Sequence, residues 1–257
     1  MKSFKKALVA VAAAAAMSSS FAALNNVAGV QWDPNAGNDF AAVINRITQF
    51  VNSGTGEVSG FGHISTINNT FQAAFCPGCE LTFTYSGFMP VGQNVGFTQI
   101  QNFYSGGVVD FWVGSGGFNN TGGGVSNAAA NYGDGTLWLS MTGHMVLGQT
   151  FNGTINFLSA ALQGSGLTDI IGGAAAYAFA VDSQAFGSDL AFTNTFNNIP
   201  GFNTLNGNLA HDAPILSNIT GAGTLTADTI FVPEPGSLAL LGLGLVGLAA
   251  ARRRKSA

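Results

Sequence analysis

Short runs of alternating apolar and polar residues recur along residues 24–231. In Leu81–Tyr85, Thr136–Thr142 and Asp189–Phe196, apolar side chains alternate with polar or small ones. This period of two is typical of a β-strand with one core face and one solvent face. Similar segments are Glu57–Ile67, Phe97–Tyr104, Val108–Val113, Thr150–Phe157, Ala174–Val181 and Gly223–Phe231. Glycine, asparagine, serine and aspartate separate them, which is turn chemistry. About nine or ten short strands predict an all-β body over residues 23–231, an antiparallel β-sandwich or jelly roll.

One stretch before these strands is ambiguous. The apolar residues between Phe40 and Val51 also fit helical spacing, with Asn38 or Asp39 as a cap and Gly54 as a stop. Ile47–Val51 equally fits a strand that pairs with Glu57–Ile67 across residues 52–56. We expect the strand.

The first 22 residues have the pattern of a secretory signal peptide. Three lysines precede an apolar run, Ala7–Met17, which is too short to span a bilayer. Ser20-Phe21-Ala22 places small residues where signal peptidase reads the chain, so we expect cleavage after Ala22. The alternative is an N-terminal membrane anchor.

The last 26 residues, 232–257, contain three consecutive features. Pro233-Glu234-Pro235 is followed by an apolar segment, residues 237–251, and by the basic end Arg252, Arg253, Arg254 and Lys255. As a transmembrane helix, the apolar segment would reach about 22 Å at ~1.5 Å per residue. The positive-inside rule places the arginines in the cytoplasm and the body outside. A plain C-terminal membrane anchor is the alternative.

This order of features resembles the PEP-CTERM sorting signal of Gram-negative bacteria. The resemblance implies recognition by an exosortase, a membrane protease that cuts near the Pro-Glu-Pro, after an inner-membrane intermediate. It also implies a link to exopolysaccharide and to biofilm or floc matrix. The same tail is also labelled an ice-binding protein C-terminal domain, and we draw no expectation of ice binding from that label. In the body, Cys76–Phe88 and Gly133–Leu139 look like segments of uncharacterised PEP-CTERM proteins, which carry no assigned activity.

Charge narrows the classes of partner. Charged residues make up 8% of the chain, about a third of the usual ~25%. Between residues 23 and 231, Arg46 is the one Lys or Arg against eleven acidic residues. This body lacks the basic surface that nucleic-acid binding requires. Its few charges and many Asn, Thr, Ser and Gly residues suit contact with polysaccharide or with other copies of the chain.

Cys76-Pro77-Gly78-Cys79 is the sharpest local motif. A redox-active C-x-x-C needs its first cysteine at a helix N-terminus, whereas here an alternating strand pattern follows the motif. Pro77-Gly78 fits the centre of a type II turn, and an oxidising compartment favours a structural Cys76–Cys79 disulfide. A redox-active pair and a metal site are the alternatives.

Other candidate sites are weaker. Asp182 and Asp189 bracket a loop that could bind Ca²⁺, and Asn131 with Asp134 is a second such candidate. Trp112 and Trp138 are candidates for stacking on a glycan. His63, His144 and His211 have no metal-ligand spacing. A glycosidase needs two facing carboxylates, which Glu57, Glu80, Asp110 and Asp134 could supply.

These observations lead us to expect an exported, non-enzymatic protein of the cell surface or extracellular matrix that associates with exopolysaccharide. Its processing partners would be signal peptidase and an exosortase. We expect no cofactor, with Ca²⁺ as the exception to test. The alternative is a carbohydrate-binding module, Ca²⁺-dependent or not, and an enzyme acting on polysaccharide ranks third.

Overall fold

A computed structural model describes residues 24–37, 39–52, 54–115, 132–156, 161–197 and 221–230. The predicted signal peptide, the Pro-Glu-Pro motif, the predicted transmembrane segment 237–251 and His211 lie outside the described residues. The strands and helices all belong to one compact unit, Asn25–Val232.

The described residues form twelve strands and two short helices. The strands are β1 (Asn25–Val27), β2 (Val30–Trp32), β3 (Phe40–Val51), β4 (Val58–Ile67), β5 (Thr70–Phe71), β6 (Glu80–Val95), β7 (Gln99–Gly114), β8 (Thr136–Gly143), β9 (Phe151–Asn156), β10 (Ala161–Gly172), β11 (Leu190–Asn197) and β12 (Gly221–Ala227). The helices are α1 (Gln72–Phe75) and α2 (Ala176–Phe179), and a 3₁₀ turn spans Ala185–Gly187. The all-β prediction is therefore confirmed.

The main sheet closes on itself. Its hydrogen-bonded order is β11-β12-β3-β4-β6-β7-β8-β10, and β10 pairs back with β11, which makes a closed barrel of eight antiparallel strands. The predicted sandwich or jelly roll is thus wrong in its finer detail. Period-two alternation has the same appearance in a sandwich and in a barrel, and the closing pair β10–β11 leaves no mark in the pattern of one strand.

Two long strands of this barrel each pair with two successive neighbours. β7 pairs with β8 through Val108–Val113 and with β9 through Gln99–Tyr104. β10 likewise pairs with β8 at one end and β9 at the other. β8 and β9 therefore share one position in the barrel wall. The loop between them, residues 144–150, turns tightly at Leu147 and Gly148, which both have positive φ.

The core is rich in aromatic rings. Trp32, Phe40, Trp138 and Phe179 pack together with ring centroids 4.9–6.2 Å apart. Both indole N–H groups are satisfied: Trp32 Nε1 donates to Thr229 Oγ1 and Trp138 Nε1 to the Val27 carbonyl. Edge-on aromatic pairs of this kind add about 0.5–1.5 kcal/mol to the burial of their surface.

Several strand predictions can be compared directly with the structure. Phe40–Val51 is the expected strand, and Val51 lies opposite Val58 in the predicted pairing. Ala174–Val181 is wrong as a strand, because it contains α2, and its alanines favour helix. Phe97–Tyr104 and Val108–Val113 belong largely to one long strand, β7. The sequence analysis missed β10 altogether.

Candidate functional site

A cleft of about 300 Å³ lies on the barrel over β10 and β11. Thr168 and Leu190 are buried, so alternation places Ser165 and Leu167 of β10, and Thr193 of β11, on the opposite, outer face. The 144–150 loop contributes to the cleft wall. We call this the outer cleft, and its lining includes His144, Gln149, Ser165, Leu167, Phe186 and Thr193.

A histidine–carboxylate pair borders the outer cleft. His144 Nδ1 lies 2.7 Å from Asp169 Oδ1, and the two side chains are 19% and 39% exposed. The backbone N–H of His144 donates to the Leu167 carbonyl at 2.7 Å, which fixes the start of the loop on β10. The carboxylate fixes the orientation of the imidazole through Nδ1.

The hydroxyl groups of the outer cleft are already hydrogen-bonded. Ser165 Oγ donates to Asn152 Oδ1 at 3.1 Å, and the Thr193 and Thr224 hydroxyls are 2.8 Å apart. Thr150 Oγ1 donates to the Gly106 carbonyl at 2.7 Å. Nucleophilic catalysis needs a hydroxyl that donates to the base. The hydroxyls of Ser165 and Thr150 therefore donate to groups other than the His144 imidazole.

Phe186 places an aromatic ring at the outer cleft. The residue is 76% exposed and its backbone has φ +61°, in the left-handed region that bulky residues rarely occupy. Such a conformation costs of order 1–3 kcal/mol and persists only where its surroundings impose it. An exposed ring beside neutral polar groups is the composition of a small-molecule site.

The barrel interior offers less room. A cavity of about 40 Å³ is lined mostly by apolar side chains, among them Phe83, Tyr85, Phe111 and Phe192. This volume suffices for a few water molecules at most. Burial raises the pKa of the Tyr85 phenol above its usual range, which agrees with a dry surrounding.

The cysteine motif has the predicted geometry. Cys76 and Cys79 form a disulfide, the Cys79 N–H donates to the Cys76 carbonyl at 3.1 Å, and Gly78 has φ +76° as a type II turn requires. Cys76 follows the C-terminal end of α1 rather than beginning a helix. A thiolate-stabilising helix N-terminus is therefore absent at this cysteine, as expected for a structural disulfide.

The two tryptophans predicted to stack on a glycan differ in their exposure. Trp138 is 1% exposed and lies in the core, so it cannot reach a ligand. Trp112 is half-buried, and its Nε1 donates to Thr84 Oγ1 at 3.4 Å. Aromatic residues in strands alternate into cores more often than onto binding surfaces, and here Phe186, in a turn, has the accessible ring.

The predicted calcium loop also has another role. Asp189 is 4% exposed, and its carboxylate accepts backbone N–H bonds from Ile170, Val181 and Asp182, each at 2.8 Å. These bonds stabilise the loop between α2 and β11. Asp182 is exposed. Ca²⁺ binding by Asp182 and Asp189 stays a prediction.

Of the four candidate catalytic carboxylates, the structure brings one pair together. Glu57 Oε1 accepts a hydrogen bond from the Gly87 N–H at 2.9 Å, and Asp110 accepts one from Ser140 Oγ. Glu80 and Asp134 lie near each other, since the charge of Asp134 contributes to raising the pKa of Glu80. Neither described cavity is lined by this pair.

Sequence reasoning missed the outer cleft because β10, which contributes to it, went unrecognised. His63 lies in β4 and His144 precedes the loop to β9, so nothing in their spacing indicated which would pair with Asp169. One signal was present: Phe186 is a large aromatic residue between Gln184 and Gly187, in a turn rather than in a strand that packs on the core.

No helix in the described part of the chain has the length and apolar character of a membrane span.

Comparison with known proteins gives one match. The family model described as the PEP-CTERM protein-sorting motif matches residues 231–255. No curated protein and no solved structure matches the chain. The likeness of the body to uncharacterised proteins therefore stays a prediction. The match contains Pro233-Glu234-Pro235 and the basic end, and such a motif implies processing by an exosortase and a place at the cell surface. This chain carries a PEP-CTERM protein-sorting motif at residues 231–255.

Proposed function

We propose that this chain is a non-enzymatic protein of the cell surface or extracellular matrix that contacts exopolysaccharide through the outer cleft. An inner-membrane intermediate, held by residues 237–251, precedes sorting. The observation that carries the proposal is the combination of an accessible ring, Phe186, with neutral hydrogen-bonding groups in a cleft of about 300 Å³. Sugars present apolar C–H faces and many hydroxyls, which match these two kinds of group.

The strands around the outer cleft extend this neutral surface. Thr193 and Thr224 lie opposite each other on β11 and β12, and both are exposed. Ser165 and Asn152 form the equivalent pair on β10 and β9. A polymer chain that leaves the cleft would meet hydroxyl and amide groups here. Because these contacts are uncharged, we expect the affinity for polysaccharide to depend little on salt concentration.

The test is co-sedimentation of the purified protein with exopolysaccharide from the producing cells. We expect Phe186→Ala to weaken binding about three- to tenfold, the equivalent of losing ~0.5–1.5 kcal/mol of aromatic contact. Phe97→Ala is the matched control, because Phe97 is fully exposed at the turn between β6 and β7, outside the cleft lining. Equal binding by both variants and the parent, or release of reducing ends from the polymer, would contradict the proposal.

A carbohydrate-binding module with a defined short ligand is the second candidate. The His144–Asp169 pair favours it, because an oriented imidazole is a specific hydrogen-bonding group rather than a general polar surface. Calorimetric titration with oligosaccharides separates the two candidates. Saturable binding of a short oligosaccharide that His144→Ala abolishes supports the module, whereas binding of polymer alone supports the matrix contact.

A further inference from the structure

Two carboxylates face one point near the start of β6. Glu80 is the first residue of β6 and lies opposite Gly114, the last residue of β7. A Cβ atom added at Gly114 would be 3.1 Å from Glu80 Oε1 and 3.6 Å from Asp134 Oδ1. Because glycine has no side chain, nothing from that position separates the two acidic groups.

The surroundings leave one of these oxygens unsatisfied. Glu80 is 9% exposed, and its buried Oε2 has no hydrogen-bond partner. An unsatisfied buried polar atom typically costs about 1–3 kcal/mol, and more when it is charged. Burial, with the negative charge of Asp134, raises the pKa of Glu80 above its ordinary value. Among the described residues, Glu80 therefore has no positive partner.

We propose that Glu80 and Asp134 bind a divalent cation, Ca²⁺, from outside the cell. Carboxylate oxygens are hard ligands, and Ca²⁺ completes its shell of six to eight oxygens with backbone carbonyls and water. The described residues hold no group of three or more His, Cys, Asp or Glu that could bind a metal, so such oxygens would supply the remaining ligands. With two carboxylates, the affinity expected is that of extracellular modules, Kd of about 10⁻⁴–10⁻³ M.

The position gives the cation a structural consequence. Gly135, next to Asp134, has φ +100° and packs against the Val113 and Gly114 backbone, and Thr82 Oγ1 donates to the Tyr132 carbonyl at 2.8 Å. A cation between Glu80 and Asp134 would tie the 132–135 segment to the ends of β6 and β7. Neither Glu80 nor Asp134 lines the outer cleft, so the two proposed sites use different residues.

The experiment measures thermal unfolding of the full-length chain in detergent, first with a chelator and then across about 0.1–10 mM CaCl₂. We expect Tm to rise with Ca²⁺ in the parent and to stay constant in Glu80→Gln and Asp134→Asn. Asp182→Asn, the same change at an exposed aspartate, should keep the full response. Calorimetric titration with CaCl₂ alone should give one site in the parent and none in the two variants.

In the chelator, Glu80→Gln should unfold at or above the parent temperature, because an amide replaces a buried carboxyl beside Asp134. This shows that the variant folds. Asp134→Asn, at an exposed position, provides a second variant that removes a ligand charge without changing the buried Glu80 side chain. No Ca²⁺ response in the parent, or an unchanged response in both variants, would overturn the proposal.

Discussion

At the scale of single residues, two buried carboxylates of this molecule differ in their hydrogen bonding. Asp189 is buried among three backbone N–H donors, and Glu80 is buried with an oxygen that has no partner. The sequence pointed to Asp189 as a calcium ligand because of its loop position. Two of the three donors, the N–H groups of Val181 and Asp182, lie in the same loop, and the third comes from Ile170, nineteen residues earlier on β10. The role of this buried acid is therefore set by backbone N–H groups, which the sequence pattern does not show.

The Tyr85 phenol predicts how stability depends on pH. Burial raises the pKa of Tyr85 above the ordinary value of 10. In the unfolded chain the phenol ionises near pH 10, whereas in the folded chain it stays neutral. The free energy of unfolding is therefore unaffected by Tyr85 below pH 10 and falls as pH rises above it. Tyr85→Phe should make this alkaline loss smaller by up to about 1.4 kcal/mol per pH unit.

Chemical denaturation between about pH 8 and 11.5 measures this effect. Tyr177→Phe is the control, because Tyr177 is 53% exposed. Burial also raises the pKa of Tyr104, so part of the alkaline loss should remain in the Tyr85 variant. Identical alkaline slopes for the parent and Tyr85→Phe would show that the Tyr85 phenol is hydrated in the folded state.

At the scale of elements, β10 explains both a failure of sequence reading and the closure of the barrel. Its sequence, Ala161–Gly172, contains Gly164, Ser165 and Gly166, which resemble a turn. Yet a Cβ at Gly164 would lie 2.4 Å from both the Phe151 ring and Asn194 Oδ1. Strand interiors use glycine where another group approaches closely. Gly164 therefore makes β10 resemble a turn in the sequence, and the packing of β10 in the barrel requires a glycine at the same position.

Gly164→Ala should therefore destabilise the protein by about 1–3 kcal/mol, the usual cost of overpacking a filled site. Gly172→Ala, in the same strand, is the matched control, since its added Cβ would meet nothing within 4 Å. Urea denaturation midpoints of the two variants give the comparison. Adding Phe151→Leu to Gly164→Ala should recover part of the loss, because the ring is one of the two clashing groups. Equal midpoints for the two single variants would place Gly164 outside a packed wall.

The strand β8 was predicted correctly because it has a property that β10 lacks. In β8, Leu137, Leu139 and Met141 recur at every second residue, so the period of two can be recognised in the sequence. The turn at residues 52–56 was also legible, because Asn52 accepts N–H bonds from Gly54 and Thr55. The order of strands around the barrel could not be predicted from the sequence. Closure depends on pairs such as β10–β11, which no periodicity of one segment contains.

At the scale of the whole molecule, the sorting motif and the outer cleft lie in different parts of the chain. The sorting motif could be recognised because order, spacing and composition all lie within residues 231–255. The outer cleft could not, because His144, Ser165, Phe186 and Thr193 come together only when the barrel closes. A motif of consecutive residues can be recognised in a single sequence. A site assembled from distant residues can be recognised only once the fold is known. Polysaccharide contact and Ca²⁺ binding therefore need tests at named residues of the body.

Processing of the two ends tests the whole-molecule organisation. We expect intact-mass analysis of secreted or surface material to find a species that begins near Ala23 and ends near Pro233. The last described residue of the barrel unit is Ile230, whose N–H donates to the Ala178 carbonyl at 3.0 Å, so cleavage near Pro233 leaves that contact in place.

Glu234→Ala should block sorting and keep Arg252–Lys255 on the protein in the membrane fraction. The tryptophan fluorescence and the unfolding midpoint of that variant should match the parent, because residue 234 lies outside the barrel strands. If the parent itself keeps Arg252–Lys255 in the membrane, the tail acts as a plain anchor, and the outer cleft would then have to meet its ligand at the envelope.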